Sequence, residues 1–325
     1  MIEDKLIFNL IVFGEEEGMR LDKFLAVWGD KQGEFECEFS RGDWIKLIKK
    51  GKVTVNNLIE KPSYRLSEGD DVYVEVKEVN TKELVAQKKI NIDVVFEGTD
   101  FIVINKQANI SVHPDNRHNK NTLVNGLIAR YPEIISVSDT DEWSYLRPGI
   151  VHRLDKDTTG LMIVARNQRA FNELKSKFKD RKITKKYQAI TYGKVFPKEG
   201  IIDKPLARST NYKKQVIAGQ KTKTKVRDSI TEYSVIKEFE KYSLVEVSPK
   251  TGRMHQIRVH LFSLGNPIVG DRLYKKREFM NDNFIKADRQ MLHAVSLDFS
   301  LFGKKHSFTA ELPNDFKKTL NRLGA

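Results

Sequence analysis

The N-terminal quarter of the chain shows two helical patterns of apolar residues, followed by two alternating patterns. The apolar positions are Leu21, Phe24, Leu25 and Trp28 in the first helical pattern and Trp44, Leu47 and Ile48 in the second. Ser40 is a suitable N-cap for the second helix, which we place at residues 41–50. The alternating segments, typical of strands, are residues 52–57 and 72–76. We therefore predict a compact module of two short helices and a few short strands over residues 15–79, with residues 1–14 as an N-terminal extension.

A second, larger domain is predicted over residues 91–325, after a polar linker at residues 80–90. The predicted strands are residues 94–96, 101–104, 161–165, 187–192, 230–236, 243–247 and 291–299, and the predicted helices are residues 122–130, 168–179 and 253–264. Strands and helices are interspersed without the regular alternation of a doubly wound sheet. The sequence thus predicts an α+β fold in which a mixed, mainly antiparallel sheet is flanked by helices.

The distribution of charge along the chain indicates the class of partner that the protein binds. The 325 residues include 57 basic and 44 acidic side chains, a formal net charge of +13. Basic groups concentrate in residues 41–65, with seven basic and two acidic side chains, and in residues 166–228, with nineteen basic and five acidic ones. Lysine and arginine near phosphates release condensed counterions, so two separated basic segments favour two contacts with one long polyanion.

Several classes of protein are disfavoured by what the sequence lacks. The longest apolar run, residues 6–13, is much shorter than the ~18 residues of a membrane span, and we expect a soluble, cytoplasmic protein. The single cysteine, Cys37, cannot form an internal disulfide or hold a structural metal by itself. Glycine-rich phosphate-binding motifs and the His-Glu-x-x-His motif are absent, so neither a nucleotide cofactor nor a zinc-protease site is predicted.

The densest group of polar residues lies directly before the predicted strand at residues 161–165. A loop that a buried strand holds in place is where catalytic side chains are often found, and this loop carries Asp155 and Asp157. Taken alone, the two aspartates are as compatible with a turn whose carboxylates cap backbone amides. They also form a weak candidate for a metal site.

The predicted helix at residues 253–264 favours a catalytic role for this loop. Its apolar stripe consists of Met254, Ile257, Leu261 and Leu264. Arg258 falls at the edge of the stripe, so we expect it to be partly buried. A buried guanidinium needs a carboxylate partner, which it keeps ionised, and Asp155 is the candidate. A sheltered, ionised aspartate is suited to act as a nucleophile.

The N-terminal module resembles the small, αL-type S4 RNA-binding domain. The matching segments, in the order of that family, are RLDKFL at residues 20–25, SR at 40–41, GKVTVN at 51–56 and GD at 69–70. The acidic stretch at residues 29–38 is longer than the usual connection between the two helices. The resemblance covers the whole module and implies RNA binding by its basic residues, which are Arg41, Lys46, Lys49, Lys50 and Lys52.

The larger domain resembles RNA pseudouridine synthases of the RluA type, and this resemblance implies their fold. The matching segments are RPGIVHRLD at residues 147–155 with TTGL at 158–161, KYQA at 186–189, GRMHQIRVHL at 252–261 with NPIVGD at 266–271, and LHA at 292–294. The sequence departs from the family at Gln107, where a Lys-Pro pair is usual, and at Thr159, where serine is common. Neither departure removes a reacting group.

The resemblance also implies a reaction in which a uridine is detached from its ribose, turned and rejoined through carbon 5. All atoms are retained, so no cofactor and no metal is required. Asp155 is then the catalytic carboxylate and Arg258 the partner that keeps it charged, while Tyr187 stacks on the target base and assists proton transfer at carbon 5. The substrate contacts implied by the same motifs are Arg153, which enters the space left by the flipped nucleotide, His152, and Ile257, which packs beside the base.

RNA is the implied partner, and an S4 module before an RluA-type domain is typical of enzymes that act on large-subunit ribosomal RNA or its precursor. We expect a monomer without an obligatory protein partner and without a membrane association. Two alternatives stay open at this point. One is a non-enzymatic RNA-binding or ribosome-associated protein, and the other is a metal-dependent nuclease or transferase that uses Asp155, Asp157 and Asp271.

Overall fold

The structure is a computed structural model that describes residues 5–31, 41–77, 84–114, 120–140, 144–209, 214–220 and 222–324. It contains two compact units, Met1–Glu83 and Leu84–Ala325, called here the N-terminal unit and the C-terminal unit. The predicted N-cap Ser40, most of the acidic stretch and residues 80–83 of the expected linker lie outside the described residues. In the described part of the chain, no helix is long and apolar enough to cross a bilayer.

The N-terminal unit is a three-stranded antiparallel sheet packed with two helices. Its elements are β1 (Lys5–Ile11), α1 (Leu21–Lys31), α2 (Arg41–Lys49), β2 (Val53–Val55) and β3 (Asp71–Lys77). The sheet order is β1-β3-β2. The predicted apolar faces of both helices share one core with the sheet, whose members include Leu21, Leu25, Trp44, Ile48, Val72 and Val74.

Strand β1 corrects our assignment of residues 1–14 to an extension outside the module. It pairs along its whole length with β3, from Lys5 opposite Lys77 to Ile11 opposite Asp71. Ile7 and Ile11 are about half exposed, at 54% and 51%, whereas Phe8 packs against the core. Apolar side chains on both faces obscure the alternation that identifies a half-buried strand, so the pattern of residues does not predict that β1 forms an edge of the sheet.

The C-terminal unit contains the remaining helices and strands. They are β4 (Val94–Glu97), β5 (Phe101–Lys106), α3 (Leu123–Arg130), β6 (Thr159–Ala165), α4 (Gln168–Lys179), β7 (Thr184–Tyr192), β8 (Glu199–Asp203), β9 (Leu206–Arg208), β10 (Gln215–Ile217), β11 (Ile230–Glu238), β12 (Tyr242–Pro249), α5 (Gln256–Ser263), β13 (Leu292–Leu301), β14 (Lys304–Thr309) and α6 (Asn314–Arg322). Strands β8, β9, β10 and β14 and helix α6 were not predicted, because they are short or polar on their exposed faces.

Nine strands form one sheet in the order β4-β5-β6-β13-β7-β12-β11-β8, with β14 paired to β13. Only the β6–β13 pairing within it is parallel. Strands β9 and β10 form a separate antiparallel pair. The predicted α+β fold with a mixed, mainly antiparallel sheet is thus confirmed.

Residues 84–90, which we expected to belong to the linker, contact the start of α3. The backbone N–H of Gln87 donates to the carbonyl of Asn125 at 2.8 Å, and the Asn125 side chain donates to the carbonyl of Val85 at 2.9 Å. Asn125 is fully buried. These bonds fasten the beginning of the C-terminal unit to its first helix.

The central strands bring two predicted site segments to the same level of the sheet. Strand β13 lies between β6 and β7, with His293 opposite Thr159 and Ala294 opposite Tyr187. Gly160 makes this packing possible, since its φ is +115° and a Cβ there would lie 2.3 Å from the Ala294 carbonyl oxygen. The loop before β6 and the middle of β7 therefore converge.

Candidate active site

Asp155 lies in the loop before β6, directly after a residue that is buried in the core. Leu154 belongs to the main core cluster, whereas the carboxylate of Asp155 keeps 20% of its surface exposed. The N–H of Thr158 donates to the carbonyl of Asp155 at 3.1 Å and closes the turn. The catalytic candidate is thus held on a tight turn at the edge of the core.

Two buried cations bind successive carbonyl groups of this turn. Lys106 Nζ donates to the carbonyl of Lys156 at 2.8 Å, and to those of Gln107 and Ile110 at 2.8 and 3.0 Å. Arg289 Nη1 donates to the carbonyl of Asp157 at 3.2 Å. Arg289 is itself bound through Nε and Nη2 to Asp315 at 2.6 and 2.9 Å. The C-terminal helix α6, which carries Asp315, therefore supports the turn that carries Asp155.

Lys106 has an unusual electrostatic setting for a lysine. Burial lowers the pKa of Lys106 to about 7, although the negative charges of Asp157 and Asp155 oppose that shift. All three of its described acceptors are backbone carbonyls, with no carboxylate among them. The three hydrogen bonds that it donates match the three N–H groups of the protonated form, which adds positive charge next to the turn.

Arg258 lies between two carboxylates and joins them. Its Nη1 donates to Asp155 Oδ2 at 2.9 Å, the contact that the helix pattern predicted. Its Nε and Nη2 donate to Asp271 at 2.7 and 2.8 Å in a bidentate pair. Asp271 also accepts the backbone N–H groups of Leu273 and Tyr274 through Oδ1. Asp271 therefore serves as a fixed counterion that orients the guanidinium toward Asp155.

The protonation of Arg258 is secured by this geometry. The residue is only 5% exposed, and burial alone would lower its pKa. The hydrogen bonds and charge of Asp271, and then those of Asp155, raise the pKa of Arg258 above its usual value. The guanidinium fills the position between Asp155 and Asp271, where the alternative interpretation placed a metal ion. In the described residues, no three acidic, histidine or cysteine side chains converge as metal ligands do.

Helix α5, which carries Arg258, begins later than predicted and is buried almost all round. It starts at Gln256 instead of residue 253, and the side chain of Gln256 organises the preceding turn. Gln256 Oε1 accepts from the Thr251 hydroxyl at 2.7 Å and from the Arg253 N–H at 3.0 Å, and Nε2 donates to the Ile230 carbonyl at 3.0 Å. Arg258 is consequently a core residue, not a residue at the edge of an apolar stripe.

His255 occupies the position directly before α5 and faces the same carboxylate. Its Nε2 lies 3.9 Å from Asp155 Oδ2, and its Nδ1 lies 3.0 Å from the hydroxyl of Tyr274. Burial lowers the pKa of His255, while the negative charge of Asp155 opposes the shift. The helix predicted at residues 253–264 includes both His255 and His260, whereas in the structure only His260 lies on α5. His260 is fully buried and bonds to Thr231 and to the Lys204 carbonyl.

Tyr187 and Ile257 line the apolar side of the site. Both are buried and belong to the main core cluster. Burial and, after it, the negative charge of Asp155 raise the pKa of Tyr187 above its usual value. Tyr187 therefore keeps its hydroxyl proton at neutral pH.

Arg153 and His152 are neighbours in the chain but have different surroundings. Arg153 is exposed, and its Nη1 lies 2.7 Å from His113 Nε2. His152 accepts the N–H of Ile163 at 2.9 Å through Nε2, and its ring stacks on Phe178 at 4.6 Å. Burial, assisted by the positive charge of Lys185, lowers the pKa of His152 to about 3. These contacts fix His152 as a neutral brace between the loop and β6, and the substrate contact that the motif implied stays a prediction.

The five basic residues predicted to bind RNA in the N-terminal unit fall into two groups. Three form ion pairs: Arg41 with buried Asp22 at 2.9 Å, Lys46 with Asp43 at 2.6 Å and Lys52 with Glu75 at 2.7 Å. Lys49 and Lys50, at the end of α2, are exposed and make no ion pair with any described residue. These two lysines are the members of the patch best placed for a phosphate.

Four features of the site were not predicted from the sequence: Lys106, Arg289, Tyr274 and the pairing of Asp271 with Arg258. Lys106 follows the predicted strand at residues 101–104, and a lysine at the end of such a strand normally lies in solvent. Arg289 and Tyr274 lie in segments without periodicity. Their partners are distant in the chain, so only the tertiary structure brings them together.

Known proteins similar to this chain share both units. The family model for RNA pseudouridylate synthase matches residues 100–263, and that for the S4 domain matches residues 40–72. The chain is 40% identical to an uncharacterized RNA pseudouridine synthase of Aquifex aeolicus, over 98% of this chain and 97% of that one. It is 34% identical to ribosomal large subunit pseudouridine synthase D of Haemophilus influenzae, over 96% and 93%. Human RNA pseudouridylate synthase domain containing 4 has a similar structure, with a TM-score of 0.56, 25% identity and coverage of 71% of this chain and 93% of that one.

The pairing of Arg258 with Asp271 can be tested by the substitution Asp271→Asn. Because it leaves a buried guanidinium without its bidentate counterion, we expect the C-terminal unit to lose about 3 kcal/mol of unfolding free energy, measured in urea. Asp282→Asn is the matched control, since Asp282 pairs with Lys286 on the surface and the same change there should leave stability near the parental value. Equal stability of the two variants would contradict the role given to Asp271.

Proposed function

Since the chain belongs to the RluA type of the RNA pseudouridine synthase family and carries an S4 domain, we propose that it isomerises specific uridines of large-subunit ribosomal RNA to pseudouridine. That it is an RNA pseudouridine synthase, an isomerase, follows from its membership of this family. The choice of ribosomal RNA is supported by the relatives named ribosomal large subunit pseudouridine synthase D. The observation that carries the proposed mechanism is the ion pair between Arg258 and Asp155. The turn on which Asp155 lies is stabilised by Lys106 and Arg289.

Asp155 acts on the target nucleotide as the catalytic carboxylate. Its contact with Arg258 uses one oxygen, Oδ2, so Oδ1 stays available for the substrate. Arg258 is held by Asp271 from the other side, so the guanidinium need not move when Asp155 reacts. Preorganised charge of this kind lowers the cost of reorganisation during the reaction.

Tyr187 and Ile257 receive the base after it leaves the RNA stack. Both side chains belong to the same apolar cluster beside Asp155, and Tyr187 stacks on the uracil ring and assists proton transfer at carbon 5. Arg153, exposed at the edge of the catalytic loop, enters the space left in the RNA. Filling that space offsets part of the few kcal/mol that unstacking costs.

Phosphate contacts supply the remaining free energy for base flipping. Lys49 and Lys50 extend from the N-terminal unit, and the segment at residues 166–228 supplies the second basic surface. Several of its lysines already pair with acidic residues, such as Lys175 with Asp139 and Lys186 with Glu246. The basic residues near β9 and β10, including Arg208, Lys214, Lys223 and Lys225, make no ion pair with a described residue.

The role of Asp155 and the ribosomal target can be tested together in a strain that lacks the gene. The strain is complemented with the parent protein or with Asp155→Asn, and the pseudouridines of its total RNA are mapped. We expect sites in large-subunit ribosomal RNA to disappear in the deletion strain, to return with the parent and to stay absent with the variant. The purified variant should bind RNA with parental affinity, because Arg258 keeps both bonds to Asp271.

Two results would count against this proposal, each against a different part of it. Restoration of the sites by Asp155→Asn would remove Asp155 from the chemistry. Loss of sites only in other RNAs would replace the ribosomal target and leave the role of Asp155 intact.

The double variant Lys49→Glu with Lys50→Glu tests whether these two lysines contribute to RNA binding and not to catalysis. We expect weaker RNA binding and a shallower loss of affinity with added salt, because the variant neutralises fewer phosphates and so releases fewer counterions on binding. The single-turnover rate at saturating RNA should stay close to that of the parent. The control is Lys304→Glu with Lys305→Glu, an adjacent exposed pair on β14 outside both basic segments. Equal loss of affinity in both double variants would contradict a specific role for Lys49 and Lys50.

A further inference from the structure

His255 has a backbone conformation that is uncommon for a residue with a side chain. Its φ and ψ are 56° and 15°, in the left-handed region, immediately before the first turn of α5. The side chain of Gln256 holds the turn on one side, and the N–H of Val259 donates to the His255 carbonyl at 3.0 Å on the other. Such strained residues concentrate at functional sites. Here the strain directs the imidazole toward Asp155.

The hydroxyl of Tyr274 determines which ring nitrogen of His255 carries the proton. It accepts the N–H of Gln215 at 2.8 Å and donates its only proton to the carbonyl of Gln215 at 3.1 Å. Its remaining lone pair faces His255 Nδ1 at 3.0 Å, so Nδ1 is the donor in this contact. All the polar groups of this cluster are then satisfied, and the neutral imidazole has its lone pair on Nε2.

Nε2 of His255 is thus a base that faces the catalytic carboxylate. The 3.9 Å between Nε2 and Asp155 Oδ2 is too long for a hydrogen bond, as expected for two acceptors, and Nε2 has no other hydrogen-bond partner among the described residues. The side chain is 14% exposed, so a proton taken up at Nε2 can pass to solvent. If Nε2 becomes protonated, the charge of Asp155 stabilises the imidazolium.

The conversion of uridine to pseudouridine requires such a base in its last step. When carbon 5 has joined the ribose, it still carries its hydrogen, and the ring has a double bond between carbon 6 and nitrogen 1. As the C5–H bond breaks, its electron pair forms the C5–C6 double bond and the displaced π pair moves to nitrogen 1. Nitrogen 1 then takes a proton from solvent, and the hydrogen of carbon 5 leaves as a proton to a base.

Tyr187 assists at carbon 5 by stacking and by donating a hydrogen bond, because it cannot itself accept that proton while it keeps its own. Burial and the charge of Asp155 both favour its neutral, protonated form, which can stack and donate a hydrogen bond. His255 faces the same carboxylate, with Nε2 3.9 Å from Asp155 Oδ2, and has a basic ring nitrogen, which Tyr187 lacks.

We propose that His255 is a further catalytic residue, whose Nε2 accepts the proton from carbon 5 of the rejoined base. The proposal deepens the proposed function and rests on it, because it places the target uridine beside Asp155. Tyr274 acts as a positioning residue that fixes the tautomer. Through Gln215 it also joins the imidazole to strand β10, which lies within the basic segment at residues 166–228.

The test uses His255→Asn and the rate of release of the carbon 5 hydrogen. Asparagine tolerates the left-handed conformation and can still donate to Tyr274, but it has no basic nitrogen in the place of Nε2. The probe is total RNA from the deletion strain labelled with tritium at carbon 5 of its uridines, which contains every target whichever RNA it lies in. We expect parental RNA affinity and a single-turnover tritium release at least about 100-fold slower, the lower range of general-base catalysis.

Deuterium at carbon 5 separates a catalytic role from a structural one. If His255 takes the proton, that step becomes rate-limiting in His255→Asn and the isotope effect on pseudouridine formation rises above the parental value. A general distortion of the site slows every step and leaves the isotope effect unchanged. His306→Asn, the same substitution on strand β14 away from the site, should behave as the parent.

The variant His255→Gly is the second test, needed if the asparagine side chain of His255→Asn disturbs folding. Glycine adopts the left-handed conformation freely, and imidazole in the buffer should restore part of the activity of His255→Gly.

The pH profile adds a further check. The rate of the parent protein should fall at low pH as acid protonates His255, and this fall should be missing in His255→Asn. The charged and titratable groups that act on the imidazole are Asp155, Arg258, Asp271, Arg153 and Tyr274.

Near-parental tritium release by His255→Asn, an unchanged isotope effect in a slowed variant, or no rescue of His255→Gly by imidazole would each overturn the proposal. Failure of the proposed function is recognised separately. In that case the parent protein itself would release no tritium from this RNA, or the mapped sites would lie outside ribosomal RNA.

Discussion

The buried guanidinium of Arg258 is the constraint on which the rest of the site depends. An arginine that is 5% exposed is tolerated only with its charge compensated, and here two carboxylates share that task in unequal ways. Asp271 forms a bidentate pair and also binds two backbone N–H groups, so it is committed to structure. Asp155 contributes one oxygen and remains partly open. One cation thereby holds one aspartate fixed and leaves the other ready to react.

The turn that carries Asp155 is stabilised without further carboxylates. Lys106 and Arg289 bind the carbonyls of Lys156 and Asp157, so the turn is held through its backbone and the side chain of Asp155 stays partly exposed. The support reaches from strand β5 through Lys106 and from helix α6 through Asp315. Segments far apart in the chain therefore converge under a four-residue turn, which explains how an exposed loop keeps the precision that chemistry requires.

The sequence predicted those parts of the structure that depend on local pattern. The fold class, the two helices of the N-terminal unit and the contact of Arg258 with Asp155 follow from periodicity and from the cost of burying a charge. Strand β1 was missed because its apolar residues lie on both faces. Helix α5 was predicted to start three residues early because His255 and the Gln256 side chain reorganise its first turn.

Contacts between segments that are distant in the chain could not be predicted from the sequence pattern. Neither Lys106 nor Arg289 has a sequence signal for burial, since their acceptors are carbonyls brought close by folding. His152 was predicted to contact the substrate from its place in a motif, and its contacts with Phe178 and Ile163, which no pattern predicted, add a structural role. Only the contacts show that His152 is held against β6 by its ring and a backbone N–H, whereas the neighbouring Asp155 keeps its side chain partly exposed.

The central claim is that Asp155, held beside Arg258, acts on a uridine removed from its RNA stack. The most direct measurement is a crystal structure of the Asp155→Asn variant bound to an RNA that contains the mapped target uridine. The account predicts a flipped uridine against Tyr187, with its ribose carbon 1′ about 3–3.5 Å from the side chain at position 155, the range of a near-attack geometry. A uridine still stacked in the RNA, or one bound with carbon 1′ out of reach of that side chain, would contradict it.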